Sequence, residues 1–239
     1  MDTLPLKLKH DNVADAIIEV RFDTNTDPNV LFALIYAKVK ERLKGKVQSL
    51  PFPPVPAVII RKDQSLKYRP LYRVDGDDCT LQIGAQMIAL NSTIPYIGWG
   101  RFYDLFEWVL GQSFDILGNV QRLGLRYVNF FDENISNEVN IAFELLGSNN
   151  KPTKFHIQTE VETGEFKNTI QYSPSVLQKL DNNSIQGSII DIDTYKVYSG
   201  DKCTMKDVLD DLVQAHQCEK QLFFSLLKND LLKKMEPEF

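Results

Sequence analysis

Residues 16–23 read Ala-Ile-Ile-Glu-Val-Arg-Phe-Asp, and this stretch sets the fold class. Ile18, Val20 and Phe22 share one face of an extended chain, and the residues that alternate with them are charged. Such period-two alternation is typical of a strand with one buried face and one polar face. The first regular element is therefore predicted to be a half-buried strand.

A helix is predicted to follow directly. Asp27 is a good N-cap residue, and Pro28 suits the first helical position because its missing N–H would have no intrahelical partner. Apolar residues then recur with helical spacing, at Val30, Leu31, Leu34, Ile35 and Val39. Gly45 is predicted to end this helix.

The remaining elements are runs of strands separated by single helices. Strands are predicted at 57–62, 68–74 and 78–90, and a helix begins at 98. Further strands are predicted at 120–131, 138–146, 153–162, 166–173 and 186–198, and a last helix from 204 to 227, with continuation towards 234.

Strands outnumber helices in this order and follow one another as hairpins. The pattern predicts an α+β fold with mainly antiparallel sheet and helices packed on one face. We expect two pseudo-duplicated lobes, an N-terminal α+β lobe at 1–117 and a C-terminal sheet lobe with the long terminal helix at 118–239. We expect the two lobes to form one continuous structural unit.

The composition is that of a soluble globular protein. The 239 residues include 27 Lys and Arg against 32 Asp and Glu, and 43% are apolar. No stretch offers the roughly 18 consecutive apolar residues of a membrane-spanning helix, and the first residues lack the apolar core of a signal peptide. Three widely spaced cysteines argue against a disulfide framework. We therefore expect a cytoplasmic protein with no membrane partner.

Charge is unevenly distributed along the chain. Residues 38–73 contain ten Lys and Arg against Glu41 and Asp63, which gives 10 − 2 = +8. Such a block could attract an anionic small molecule, an acidic protein or nucleic acid, and Tyr68 and Tyr72 offer stacking surfaces for bases. Nucleic acid is the less favoured partner because the whole chain is acidic. The block could also pair with a second copy of the chain, which would make a homodimer.

Common catalytic motifs are absent from the sequence. It contains no phosphate-binding loop, no dinucleotide-binding glycine pattern, no zinc-protease motif and no nucleophile elbow. Only three histidines are present, His10, His156 and His216. These absences favour a non-enzymatic protein without a cofactor.

Two arginines share one face of the predicted strand 120–131. Arg122 and Arg126 lie about 13 Å apart at about 3.3 Å per residue, and Gly124 between them leaves room for a ligand or a partner's backbone. Guanidinium groups bind carboxylates and phosphates through paired hydrogen bonds. The alternative is that both arginines form ordinary cross-strand ion pairs.

Asp191 and Asp193 suggest a competing enzymatic hypothesis. The two carboxylates share a strand face about 7 Å apart, a spacing that could hold Mg²⁺ together with a substrate phosphate. His216 lies on the apolar stripe of the last helix and is predicted to face the sheet, where it could line a pocket or act as a general base. A hydrogen-bonded core histidine and an ion pair between these aspartates and a neighbouring arginine are the structural alternatives.

Four stretches in this order resemble a known family. They are Ala16 to Phe22, Leu81 to Gly84 with Tyr96 and Trp99, Arg122 to Asn129, and Ala215-His216 with Leu222-Phe223. The chain is similar to a sporadically distributed family of uncharacterised prokaryotic proteins of comparable length. The resemblance implies a prokaryotic cytoplasmic protein, and a patchy distribution suits a mobile antiphage-defence or toxin–antitoxin component. It supplies no catalytic residues.

The leading hypothesis is a non-enzymatic protein that binds an anionic small molecule or an acidic protein partner. The candidate binding residues are Arg122, Arg126, Arg69, Arg73, Tyr72 and His216. The alternatives are a Mg²⁺-dependent enzyme that acts on a nucleotide or another phosphorylated substrate through Asp191 and Asp193, and a nucleic-acid-binding protein that uses residues 38–73.

Overall fold

The computed structural model describes residues 4–51, 55–142, 154–180, 183–199 and 203–239. Within these residues the chain forms a nine-stranded antiparallel sheet, a separate two-stranded sheet and five helices. The predicted α+β class with mainly antiparallel sheet is therefore confirmed.

The described strands are β1 (Lys7–Leu8), β2 (Val13–Asp23), β3 (Val47–Ser49), β4 (Pro70–Asp75), β5 (Thr80–Gly84), β6 (Met87–Thr93), β7 (Asn119–Phe131), β8 (Ile157–Thr163), β9 (Phe166–Leu180), β10 (Asn183–Val197) and β11 (Pro237–Glu238). The helices are α1 (Pro28–Val39), α2 (Ala57–Lys62), α3 (Trp99–Leu117), α4 (Met205–Leu226) and α5 (Asn229–Lys234). The large sheet has the order β3-β4-β5-β6-β2-β7-β10-β9-β8, and β1 pairs with β11.

Helix α1 begins where the sequence predicts. The Asp27 side chain accepts a hydrogen bond from the Asn29 backbone N–H at 2.9 Å, and Pro28 occupies the first helical position. The helix ends at Val39, several residues before Gly45. Its inward stripe, Pro28, Leu31, Ile35 and Val39, is buried, and α1 packs on α3.

Strand β2 has the predicted alternation. Ile18, Val20 and Phe22 are fully buried, whereas Glu19 and Arg21 are only half-buried. The strand pairs antiparallel with β6, with Glu19 opposite Ala89. The buried face of β2 belongs to the core, and its charged face is the surface on which the candidate site is built.

Three predicted elements differ from the structure. Residues 57–62 form helix α2 rather than a strand, and residues 78–90 form two strands, β5 and β6, rather than one. The prediction of a strand at 138–146 is wrong for its described part, in which Val139 makes only an isolated bridge with Leu227. Residues 143–146 of that prediction lie outside the described residues.

The physical reasons for these differences are local. Pro56 occupies the N-cap position of α2, and its carbonyl accepts hydrogen bonds from the backbone N–H groups of Ile59 and Ile60, which closes the first turn of a short helix. The turn between β5 and β6 consists of Ala85 and Gln86, both buried, so no exposed polar turn interrupts the apolar pattern. The Gln86 side chain donates to Asp23 Oδ1 at 2.9 Å, and the Gln86 carbonyl accepts from the Phe22 N–H.

The chain contains two compact units, each assembled from separate segments. Unit 1 comprises Met1–Ala14, Arg126–Thr194 and Ala215–Phe239, and unit 2 comprises Asp15–Leu125 and Tyr195–Gln214. The sequence-based division differs in kind, because it separates the chain once, between residues 117 and 118.

Unit 1 has its own apolar core. It contains side chains from β9, β10, the end of α4 and α5, among them Ile170, Tyr172, Ile190, Phe223 and Leu231. Within the described part of the chain, no helix is both long and apolar enough to cross a lipid bilayer.

Candidate functional site

The registers of unit 2 align polar residues across four neighbouring strand pairs. Gln48 lies opposite Arg73, Arg73 opposite Gln82, Gln82 opposite Ala89, and Ala89 opposite Glu19. Neighbouring strands are about 4.8 Å apart, so three strand spacings, about 14 Å, separate Arg73 from Glu19. The row lies on the opposite side of the sheet from the core residues Ile18 and Val20, because neighbouring strand residues point to opposite faces.

Glu19 is the anionic centre of this row. Its Oε1 accepts a hydrogen bond from Arg21 Nε at 2.7 Å and another from Arg122 Nη1 at 2.9 Å. One carboxylate oxygen is thus shared by two guanidinium groups, and the three side chains carry a net charge of +1. We call Arg21, Arg73, Arg122 and Glu19 the arginine face.

Arg122 is the least exposed member of the arginine face. Only 12% of its side-chain surface is accessible, and its guanidinium lies 4.3 Å from the centroid of the Tyr195 ring. The guanidinium also folds across Gly124, in the space that a side chain at position 124 would need. The room predicted above Gly124 is therefore filled by Arg122 itself, and a ligand would meet this arginine rather than a gap.

Tyr68 supports the outer side of the arginine face. The Arg21 guanidinium and the Lys67 ammonium each lie 4.5 Å from the centroid of its ring. Cation–π contacts of this kind fix the positions of long cationic side chains. Tyr68 therefore holds Arg21, which contacts Glu19, and a second positive charge, Lys67, against one ring.

Arg73 is the most accessible arginine of the face. Its Nε donates to Asp75 Oδ1 at 2.7 Å, and 41% of its side-chain surface is exposed. The Gln48 amide also donates to Asp75, at 3.2 Å. Arg73 and Asp75 line a cavity of about 210 Å³ at the end of the β4–β5 hairpin.

Positive charge predominates among these side chains. Arg21 and Arg122 contact Glu19, Arg73 contacts Asp75 and Lys67 lies over the Tyr68 ring, so these four cations and two carboxylates sum to 4 − 2 = +2, while Asp77 and Asp78 line the cavity beside Arg73. Guanidinium groups offer several N–H donors in one plane and match carboxylate and phosphate oxygens. The arrangement is chemically suited to hold an anion.

Two of the predicted binding residues lie apart from this face. Tyr72 is next to Arg73 in the strand and turns to the helix side, where its ring stacks on Phe32 with a centroid distance of 4.0 Å. Its hydroxyl donates to the Asn29 side chain. Arg69 is exposed in the turn that precedes β4. The sequence prediction grouped these residues with Arg73, but the structure brings only Arg73 into line with Glu19.

Arg126 belongs to unit 1, where it forms a two-pronged ion pair with Asp191. Arg126 Nε donates to Asp191 Oδ1 at 2.8 Å, and Nη2 donates to Oδ2 at 2.6 Å. The Gln171 amide lies 3.4 Å from the same Oδ2. Both oxygens of Asp191 are thus hydrogen-bonded to an arginine, while Asp193, two residues along the strand, is half-buried. Among the described side chains, no group of three or more His, Cys, Asp or Glu is placed to hold a metal ion.

His216 and Glu219 lie one helical turn apart on α4 in unit 1. The His216 ring is 6.1 Å from that of Tyr127, and burial lowers the pKa of His216 to about 4. Glu219 is buried, and its desolvation raises the pKa of this carboxyl to about 8. Both side chains therefore favour their neutral forms, which suits a structural role in the unit 1 core.

Glu19, Arg21 and Gln82 were not predicted as site residues, whereas Tyr68 was predicted as a stacking surface of the basic block. The alternation of β2 gave the signal for the first two, because it places both on the polar face of a half-buried strand. The alignment of Gln82 depends on hairpin registers that become visible only in the folded sheet. No protein-family model matches this sequence, and no curated protein does, so the site rests on its geometry.

Proposed function

We propose that this protein is a non-enzymatic binding protein that holds a small anionic ligand, a phosphate or polycarboxylate, on the arginine face of unit 2. One observation carries the proposal: Glu19 Oε1 accepts hydrogen bonds from both Arg21 and Arg122, so two guanidinium groups meet at one carboxylate oxygen. A third arginine, Arg73, lies in the same cross-sheet row.

The electrostatics of the face favour an incoming anion. A positive charge that is partly removed from water loses hydration free energy, and the Coulomb attraction of an anion bound next to it offsets part of that loss. Arg122 is nearly covered and Arg73 is much more exposed, so the charge is accessible from the Arg73 side. A small ligand could enter from that side, contact Arg73 and Gln82, and approach the net positive group around Glu19.

The biological setting that we infer comes from the sequence resemblance. It is a prokaryotic cytoplasm, and a mobile antiphage-defence or toxin–antitoxin system is the role that a patchy distribution suits. An acidic protein partner would use the same charges as a small anion. The experiment therefore includes an acidic polypeptide as a separate arm.

The test is isothermal titration calorimetry of the purified protein with inorganic pyrophosphate, citrate and poly-L-glutamate at constant ionic strength. We expect saturable binding of at least one small anion. Arg73→Gln should weaken that binding by about tenfold, since a charge-assisted hydrogen bond contributes about 1.5–3 kcal/mol. Glu19→Gln should strengthen it, because the charge of the group rises from +1 to +2.

Lys234→Gln is the matched control. Lys234 also forms an exposed ion pair, with Glu138 at 3.0 Å, but it belongs to unit 1 and lies outside the arginine face. Its replacement should leave the affinity unchanged. Absence of binding by both small anions would overturn the proposal, as would equal affinities for wild type, Arg73→Gln and Glu19→Gln. Binding of poly-L-glutamate alone would assign the face to an acidic protein and reject the small ligand.

A further inference from the structure

Helix α1 carries a second apolar stripe on the side opposite its buried one. The stripe is formed by Val30, Ala33, Leu34 and Ala37, with spacing i, i+3, i+4, i+7, and all four residues are exposed. Val30 is 51% exposed and Leu34 is 48% exposed. A helix that is apolar on two sides usually packs on both of them.

We propose that this stripe is a homodimer interface, in which α1 packs antiparallel against α1 of a second copy about a two-fold axis between Ala33 and Leu34. The proposal is independent of the arginine face, because it uses neither the residues nor the ligand of that site. Two-fold interfaces join the same patch on both subunits, so the patch must be complementary to itself.

The shapes along the stripe meet this requirement. With the axis between Ala33 and Leu34, Val30 lies opposite the partner's Ala37, and Ala33 lies opposite the partner's Leu34. Each larger side chain therefore faces a small one. Alternation of large and small residues across facing positions allows two helices to interdigitate.

The charged residues next to the stripe are also complementary to their own copies in an antiparallel pair. Asp27 and Lys38 lie eleven positions apart, about three full turns, so both border the stripe on the same side. In an antiparallel pair the same sides meet, so Asp27 approaches the partner's Lys38 twice, once on each half of the interface. On the other side, Asn29 approaches the partner's Lys40. A parallel arrangement would bring opposite sides together, so each Lys38 would lie beside the partner's Lys40 and Asp27 would lie beside the partner's Asn29, away from any lysine.

The length of helix α1 limits the affinity that we expect for the dimer. Twelve residues give a contact about 18 Å long, which is short for a permanent interface. We therefore expect a reversible dimer with a dissociation constant of about micromolar order.

The first test is sedimentation velocity of the full chain from about 1 to about 300 μM, a range that brackets such an affinity. The sedimentation coefficient of the wild type should rise with concentration towards that of a dimer. Leu34→Glu should remain monomeric through the range, since it places a carboxylate at the centre of the contact. Val58→Glu, an equally exposed apolar position on helix α2 at 55% exposure, is the matched control and should behave as wild type.

The second test determines the register of the two α1 helices by disulfide cross-linking. It uses a Cys203→Ser background, which removes the most accessible of the three cysteines. Ala33→Cys lies within about 1.5 Å, along the helix axis, of its own counterpart, whereas Ala37→Cys is offset by about 10 Å. Mild oxidation should therefore cross-link Ala33→Cys and leave Ala37→Cys monomeric. A wild type that stays monomeric, a Leu34→Glu variant that still dimerises, or preferential cross-linking at Ala37→Cys would each overturn the proposed interface.

Discussion

The guanidinium of Arg122 folds back across Gly124, two residues further along strand β7, and fills the space that a side chain at that position would occupy. This relationship lets Arg122 lie flat on the sheet and reach the carboxylate of Glu19, 2.9 Å from its Nη1. The glycine is therefore part of the arginine face, although it contributes no side chain.

Gly124→Ala should displace the Arg122 guanidinium and lengthen its contact with Glu19. We expect a loss of about 1–2 kcal/mol in the free energy of unfolding, as for other inserted methyl groups in packed sites. Urea denaturation measures this loss. Gly100→Ala is the control, because no atom lies within 4 Å of a side chain there and alanine suits a helix better than glycine. Equal stabilities for the two variants would contradict the packing of Arg122 on Gly124.

Glu219→Gln should gain stability over wild type as the pH rises. Burial raises the pKa of Glu219 in the folded protein to about 8, from an ordinary value of 4.5. Between these two values the folded state holds a proton that the unfolded state has released, so wild-type stability falls as the pH rises from about 4.5 to about 8. Glutamine does not titrate, so the difference in unfolding free energy between variant and wild type should grow across this window. Lys220 is the neighbouring charge that opposes the shift. A difference that stays constant with pH would show that Glu219 titrates normally.

His216→Gln should show the opposite trend, at lower pH. Burial lowers the pKa of His216 to about 4, from an ordinary value of 6.5. The unfolded state therefore binds a proton first as the pH falls, and wild-type stability is lost from about 6.5 down to about 4. The advantage of the variant over wild type should appear only below about pH 6.5, in urea titrations at fixed ionic strength. An advantage that persists unchanged at pH 8 would point to a packing effect instead.

Asp211→Asn should destabilise unit 2. Asp211 is buried and accepts hydrogen bonds from Lys196 Nζ and from the Tyr198 hydroxyl, each at 2.9 Å. Removal of its charge leaves the Lys196 ammonium without its carboxylate, at a cost of about 3 kcal/mol. Thermal or urea unfolding measures the loss. Arg101→Gln, which breaks an exposed ion pair, should cost about 0.5 kcal/mol or less. If the two variants lose equal stability, the Asp211 contacts contribute no more than a surface pair.

Much of the fold could be predicted because its signals are local. The alternation of β2, the Asp27-Pro28 start of α1 and the long apolar stripe of α4 each fix one element by backbone and side-chain preferences alone. The incorrect predictions of secondary structure lie where tertiary contacts, rather than local sequence signals, determine the element. The buried turn at Ala85 and Gln86 is stabilised by hydrogen bonds to Phe22 and Asp23, more than sixty positions earlier in the chain.

The candidate site was harder to predict for the same reason. The sequence shows that Arg122 and Arg126 share a strand face, but it does not show that one pairs with Glu19 and the other with Asp191. Those pairings depend on the register of strands that are 65 to 103 positions apart in the chain. The prediction groups Tyr72 with Arg73 because the two are adjacent in the sequence, but the alternation of the strand sends their side chains to opposite faces.

The interleaved segments of the two compact units have a consequence for biosynthesis. Unit 2 ends with Tyr195–Gln214, and unit 1 ends with Ala215–Phe239. Unit 2 is therefore incomplete until the ribosome has passed Gln214, long after strand β2 has been synthesised. Expression of either half of the chain, cut between residues 117 and 118, would leave both units without essential segments, so we expect neither half to fold alone.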